Sequence, residues 1–135
     1  MMCLQTVYIG KREKTALAKL PNMITCWKVV QRKGNQHFSK YCPEYRNGLS
    51  SFLAGWNKTK PFTKRYLGNY KIAFHAFRTE IAAKDWAEIH CLSYLHIVKC
   101  KTRKKDIVAI GEQRRGHLCL VTKRIWIPKP RKKPA

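Results

Sequence analysis

Residues 70–90 read Y-K-I-A-F-H-A-F-R-T-E-I-A-A-K-D-W-A-E-I-H, and this stretch decides the expected fold. Its first eight residues alternate and predict a strand, with one apolar face made by Tyr70, Ile72, Phe74 and Ala76. Thr79 then supplies an N-cap and Glu80 a carboxylate for the positive first turn, so a helix should follow from about 80 to 90. The buried stripe of that helix would be Ala82, Trp86 and Ile89.

The rest of the chain contains further strand-like segments around this unit. A hairpin is predicted from 25–31 and 36–41, because Lys33-Gly34-Asn35 supplies a turn, with Trp27 and Val29 on one face of its first strand. Three more strands are predicted at 94–100, 106–110 and 117–127. We therefore expect an α+β fold, with a mainly antiparallel sheet of about five to six strands and one packed helix.

The domain organisation follows from these segments. Residues 1–22 read as a basic lead-in with a short helix from Thr15 to Leu20, residues 23–128 as a single domain, and residues 129–135 as a basic, proline-rich tail. Residues 42–69 are punctuated by proline and glycine and give no clear pattern. A stretch of that length is unusual inside a compact domain, so we expect part of it to be ordered or functional.

The net charge restricts the class of partner. Across 135 residues, 29 lysines and arginines oppose 7 acidic residues, which gives +22. Self-repulsion on this scale destabilises a compact chain unless a polyanion lies nearby. An acidic scaffold is excluded and an enzyme for a neutral small molecule is disfavoured. We expect a nucleic-acid partner, with RNA favoured, or a ribonucleoprotein complex.

The ends and the cysteines bear on location. The apolar residues 1–10 precede the first charges, which is the reverse of a secretory signal, and no apolar run is long enough to span a membrane. Six cysteines are too few for a disulfide scaffold and are expected to be small buried side chains in a reducing compartment. These features predict a cytoplasmic protein without a membrane partner.

Basic residues cluster in the last third of the chain and form a candidate nucleic-acid-binding site. These residues are Lys99, Lys101, Arg103, Lys104, Lys105, Arg114, Arg115, Lys123 and Arg124. In an antiparallel sheet the turns at 101–105 and 111–116 lie at opposite ends. A broad stripe along a phosphate backbone is therefore expected, not a single tight pocket. Three of the seven acids lie on the helix of 80–90, which should mark a non-binding side.

Aromatic residues alternate with cations in the middle of the chain. Aromatic faces stack on unpaired bases, a mode that suits single-stranded RNA better than a duplex. Most aromatics of a small domain belong to its core, but Trp56 and Tyr66 lie in the loop-like region and are least required there. They complete the candidate site together with Lys64 and Arg65.

Catalytic and metal-binding motifs are weak. No CxxC pair occurs, and His96 and Cys100 would lie about 13 Å apart along a strand, so no metal and no cofactor are predicted. Cys100, between Lys99 and Lys101, would have a lowered pKa but has no identifiable partner base. His75 and His96 leave a histidine-dependent ribonuclease as an alternative.

Five short segments resemble a pattern found in small accessory proteins of phages and mobile elements. They are C-W-K-V-V (26–30), A-F-H-A-F (73–77), D-W-A-E-I (85–89), I-V-K-C (97–100) and I-W-I-P (125–128). Some proteins of this kind are anti-CRISPR inhibitors, which bind an RNA-guided effector or its RNA. The resemblance implies inhibition of host defence and no catalytic residues.

The sequence therefore favours a small, strongly basic binding protein that engages RNA or an RNA-guided ribonucleoprotein. The first alternative is a ribosomal or nucleoid-type structural protein, although such proteins usually have longer basic extensions and smaller cores. The second is a small RNase-like enzyme.

Overall fold

A mainly antiparallel sheet with two helices makes up the computed structural model, which describes residues 4–33, 36–38, 51–52, 54–61, 70–71, 73–89 and 95–129. Within these residues there are ten strands and two α-helices. In chain order they are β1 (Thr6–Val7), α1 (Gly10–Ala18), β2 (Met23–Lys33), β3 (Gln36–Phe38), β4 (Ser51–Phe52), β5 (Gly55–Lys58), β6 (Phe74–Phe77), α2 (Glu80–Ile89), β7 (Leu95–Arg103), β8 (Ile107–Glu112), β9 (Leu118–Thr122) and β10 (Arg124–Ile127).

The strand order confirms the α+β class and the antiparallel sheet and corrects the strand number. Eight strands follow one path, β1-β8-β9-β6-β2-β7-β10-β5, and β3 and β4 extend from β2. The expectation of five to six strands was wrong for two reasons. Strands β1, β4 and β5 are too short to show a pattern in the sequence. The single strand expected at 117–127 is two strands, because the chain bends at Lys123, where Lys123 N and Thr122 Oγ1 both donate to Asp106 O.

Helix α2 forms as expected, and its N-terminus shows why. The hydroxyl of Thr79 accepts a hydrogen bond from the backbone N–H of Ala82 at 3.2 Å, which satisfies one of the free donors of the first turn. Trp86 is buried and packs on Phe77, with ring centroids 6.2 Å apart.

The fold contains a second helix, so the expectation of one packed helix is corrected. Helix α1 begins at Gly10, five residues before the short helix expected at 15–20. Its N-cap is Ile9, whose side chain offers no oxygen to the first turn, and this explains why the sequence carries no start signal there. Residues 4–22 belong to the packed structure, because β1 pairs with β8 and Leu20 is buried.

The two faces of the sheet carry separate hydrophobic cores. One, the α2-side core, includes Val29 and Phe77 and is covered by α2. The other, the α1-side core, includes Cys26, Val30 and Leu20, and Ala16 and Leu17 of α1 pack against it. This confirms the alternation expected for β2. In the described residues, no helix is both long and apolar enough to cross a membrane.

Several expectations concern residues outside the described part of the chain. They include the turn at 34–35, the end of the hairpin at 39–41, most of the 42–69 region and the tail beyond Lys129.

Candidate nucleic-acid interface

Three neighbouring strands, β5, β10 and β7, bring basic and aromatic side chains onto one face of the sheet. β10 pairs with β5 on one side, where Arg124 is opposite Lys58 and Trp126 is opposite Trp56. On its other side Trp126 is opposite Lys101 of β7. Because side chains alternate along a strand, Lys99, Lys101 and Arg103 share a face. We call this surface the basic face. Its residues are Trp56, Lys58, Lys99, Lys101, Arg103, Arg124 and Trp126.

The alternating residues beneath this surface hold it in place. Ile125 and Ile127 of β10 and Cys100 of β7 are buried in the α1-side core, so their neighbours in sequence point the other way. Thr102 is fully buried between the strands, and its hydroxyl lies 2.7 Å from Thr122 Oγ1 and 2.8 Å from the carbonyl oxygen of Arg124, to which it donates. This contact fixes β7 against the start of β10.

Cations lie over the tryptophan rings of the basic face. Lys101 Nζ is 5.0 Å from the centroid of the Trp126 ring, and Arg103 Cζ is 5.1 Å from that of Trp56. Both distances fall within the range of a cation–π attraction. Trp56 is 44% exposed, so part of this residue remains open to solvent or to a ligand.

A pocket of about 300 Å³ opens at the β5 end of the basic face. Its walls are Trp56, Asn57, Lys58, Arg103, Asp106 and Arg124. Three cations and one carboxylate thus line the same pocket. Asp106 is only 3% exposed. Its Oδ2 atom and the Nε atom of Arg124 are buried without a hydrogen-bond partner among the described residues.

Helix α2 shares the sheet face that carries the basic residues. Ile97 of β7 packs against the α2-side core, and Lys99, Lys101 and Arg103 follow it on the same face by alternation. The helix and the basic row therefore lie one after the other along a single face, and the expectation of separate sides is corrected.

Two carboxylates of α2 have cationic partners. Glu80 pairs with Lys84 at 3.0 Å along the helix. Asp85 contacts Arg115 at 3.0 Å and His117 at 2.7 Å. Arg115 is therefore engaged at the far end of β8 and lies apart from the basic face.

The structure brings together five of the residues expected from the sequence: Trp56, Lys99, Lys101, Arg103 and Arg124. Lys104 is used within the fold, because its Nζ donates to the carbonyl oxygen of Leu20 at 3.0 Å. Lys105 is exposed on the turn after β7, and Lys123 is half-buried at the bend between β9 and β10. Lys64, Arg65, Tyr66 and the side chain of Arg114 lie outside the described residues.

Sequence reasoning missed Lys58, Trp126 and Asp106. Trp126 carried a signal, since it alternates with the buried Ile125 and Ile127 on β10. Lys58 carried none, because β5 has four residues and none of them is buried. What was missing was the knowledge that β10 lies between β5 and β7. Asp106 gave no signal, because an acidic residue after a lysine pair normally faces solvent.

The residues considered for catalysis are enclosed. His75 is fully buried, with Nε2 2.9 Å from the Tyr70 hydroxyl and Nδ1 3.0 Å from the carbonyl oxygen of Ala73. Burial lowers the pKa of His75 to about 3, so the ring is neutral. Burial raises the pKa of Cys100, which corrects the expectation of a lowered one. Both groups serve the packing of the core.

The described part of the chain contains no group of three His, Cys, Asp or Glu side chains that could hold a metal ion. What the basic face offers is positive charge, two tryptophan rings and a pocket with one buried carboxylate. No family model matches the chain, and neither a curated protein nor a solved structure matches it.

Proposed function

We propose that this protein binds single-stranded RNA through the basic face. The observation that carries the proposal is the register of β5, β10 and β7, which sets Trp56 beside Trp126 and surrounds both with cations. Tryptophan faces stack on bases, and lysine and arginine neutralise phosphates. The combination of the two on one open surface is typical of single-stranded nucleic-acid binding.

A single strand fits this surface better than a duplex does. In a duplex the flat faces of the bases are stacked on one another, so an aromatic side chain cannot reach them. Trp56 is 44% exposed on the edge strand β5, where an unpaired base can lie against it. The preference for RNA over DNA rests on the sequence-based expectation and is decided by the experiment.

The charge of the chain supports the same proposal. Part of the formal charge of +22 lies on the neighbouring strands β7 and β10. A polyanion bound there relieves the repulsion between their cations. The role as an inhibitor of an RNA-guided effector rests on the sequence resemblance alone and stays a prediction.

The test is fluorescence anisotropy with a labelled single-stranded RNA, the matching single-stranded DNA and the matching RNA duplex. The single-stranded RNA should bind most tightly. Trp56→Ala should weaken that binding about 5- to 150-fold, the effect of losing one base–aromatic stack of about 1–3 kcal/mol. Ile81→Ala is the matched control, since Ile81 is 77% exposed on α2 and should leave binding unchanged.

Equal affinities for wild type and Trp56→Ala would contradict the proposal. So would tighter binding of the duplex than of the single strand. Cleavage of the labelled RNA during the measurement would instead favour the ribonuclease alternative, for which the enclosed His75 provides no support.

A further inference from the structure

The pocket at the β5 end of the basic face contains a buried acid, Asp106, with a carboxylate oxygen that the fold leaves unpaired. Asp106 lies in the single turn of 3₁₀ helix between β7 and β8 and is 3% exposed. Its backbone carbonyl accepts hydrogen bonds from Lys123 N and Thr122 Oγ1. Its carboxylate atom Oδ2 has no hydrogen-bond partner among the described residues.

A buried carboxylate oxygen without a hydrogen-bond partner is costly. Such groups in native proteins are nearly always paired, and exceptions call for a specific explanation. Several cations line the same pocket, yet Oδ2 of Asp106 has no hydrogen-bond partner among the described residues, so the fold leaves this oxygen unsatisfied. The turn would keep its backbone contacts with an asparagine at this position. A role in binding explains the carboxylate better than a role in folding.

The pocket is large enough to hold one nucleotide base. Its volume of about 300 Å³ corresponds to about ten water molecules at roughly 30 Å³ each. Trp56 supplies a flat apolar wall, and Lys58 and Arg103 supply positive charge at the rim for the adjoining phosphates. A base that enters from the basic face would therefore find a stacking surface, with Asp106 and Arg124 in the wall beside it.

The two unpartnered groups of the pocket differ in hydrogen-bonding character. The carboxylate of Asp106 can only accept hydrogen bonds, and Nε–H of Arg124 can only donate one. Guanine is the RNA base whose pairing edge presents two adjacent donors, N1–H and the N2 amino group, next to one acceptor, O6. Adenine and cytosine each have a ring-nitrogen acceptor beside their amino group. This ring nitrogen would face the second carboxylate oxygen, which also can only accept a hydrogen bond. Uracil has a single donor between two carbonyl groups.

We propose that this pocket selects a guanine base of the bound RNA, with Asp106 accepting from N1–H and the N2 amino group and Arg124 donating to O6. Within an RNA strand the ribose offers only its 2′-hydroxyl, because the 3′ oxygen is esterified. The ribose therefore cannot supply the paired donors that a carboxylate accepts. The inference rests on the proposed function, because it assigns a base preference to the same surface.

The experiment measures binding of short oligo-uridine RNAs that carry one central guanosine, inosine, adenosine or 2′-deoxyguanosine. For wild type, guanosine should bind about 5- to 150-fold more tightly than adenosine, the range of a bidentate base contact. Inosine, which lacks the N2 amino group, should lose part of this preference, and 2′-deoxyguanosine should keep it.

Asp106→Asn retains the size of the side chain and replaces one acceptor oxygen by an amide donor. This variant should lose the preference for guanosine and bind the adenosine RNA at least as well as the guanosine RNA, because an amide complements the donor–acceptor edge of adenine. Glu88→Gln on α2 makes the same change of charge at an exposed position and should keep the preference. A thermal melt of both variants checks folding.

The outcomes separate this inference from the proposed function. Wild type that binds all the RNAs equally well would overturn the guanine assignment and leave RNA binding intact. A guanosine preference that survives in Asp106→Asn would also overturn it. A preference that disappears with 2′-deoxyguanosine would transfer the recognition to the ribose and overturn it as well. If the protein binds none of the RNAs, both proposals are overturned.

Discussion

Removal of three lysines from the basic face should change the salt dependence of RNA binding by a calculable amount. Lys58, Lys99 and Lys101 are exposed, so the triple variant Lys58→Gln, Lys99→Gln, Lys101→Gln should fold. Each cation that neutralises a phosphate of a single strand contributes about −0.7 to the slope of log K against log salt concentration. The variant should therefore lose about 2 from the magnitude of that slope.

The consequence is large over a convenient range of salt. If all five cations of the basic face contact phosphates, the slope for wild type is about −3.5 and that for the variant about −1.4. Raising the salt from about 50 to 200 mM then weakens wild-type binding about 130-fold and variant binding only about sevenfold. Anisotropy titrations at four salt concentrations with one labelled single-stranded RNA measure both slopes.

The control is a second triple variant with the same loss of charge on the other side of the sheet. Lys11→Gln, Lys14→Gln, Lys19→Gln removes three exposed lysines in and just after α1, whose apolar face packs on the α1-side core. Its slope should stay close to that of wild type. Equal slopes for wild type and the basic-face variant, or an equal reduction by the α1 variant, would refute the reasoning that assigns the contact to β5, β10 and β7.

Two further predictions concern the core. Burial lowers the pKa of His75 from 6.5 to about 3, so unfolding takes up a proton between these values and stability should fall as the pH decreases through that range. Urea unfolding measures the free energy of unfolding at pH 7 and at pH 5. Between these two pH values the free energy of unfolding of His75→Gln should decrease by about 2 kcal/mol less than that of wild type. Equal decreases would contradict the assignment. Burial also raises the pKa of Cys26 and Cys119 to about 12 and that of Cys100 further, so iodoacetamide should modify these three thiols only after unfolding. Mass spectrometry detects the label. Rapid labelling of these thiols in the folded protein would contradict their burial.

Part of this fold is visible in the sequence because local patterns decide it. The alternation in β2 and β7, and the Thr79 cap with its helical stripe in α2, depend only on residues close in sequence. Lys28 shows where local reading ends. It is 1% exposed and donates to the carbonyl oxygen of His75 at 2.8 Å, and nothing in residues 25–31 distinguishes it from a surface lysine.

The candidate site could be predicted only in outline for the same reason. Charge and composition indicate a polyanion and point to Lys99, Lys101, Arg103 and Arg124. The partnership of Trp56 with Trp126 depends on β10 pairing with β5, which lies about seventy residues earlier in the chain. Pairing over that distance is set by the packing of the whole sheet, so it leaves no short motif to find.

The basic face is assembled from strands that are distant in sequence, and this links binding to folding. The unfolded chain keeps every lysine and can still attract RNA, but it cannot hold two tryptophans side by side. Stacking on two adjacent rings therefore belongs to the folded state alone, while the electrostatic part of the affinity is shared by both states. A ligand that favours the folded state stabilises it, by at most about 2.7 kcal/mol at a concentration one hundred times its Kd, and by less when the unfolded chain also binds it. A bound nucleic acid can therefore stabilise the folded state of the protein, but only to the extent that its bases are free to stack.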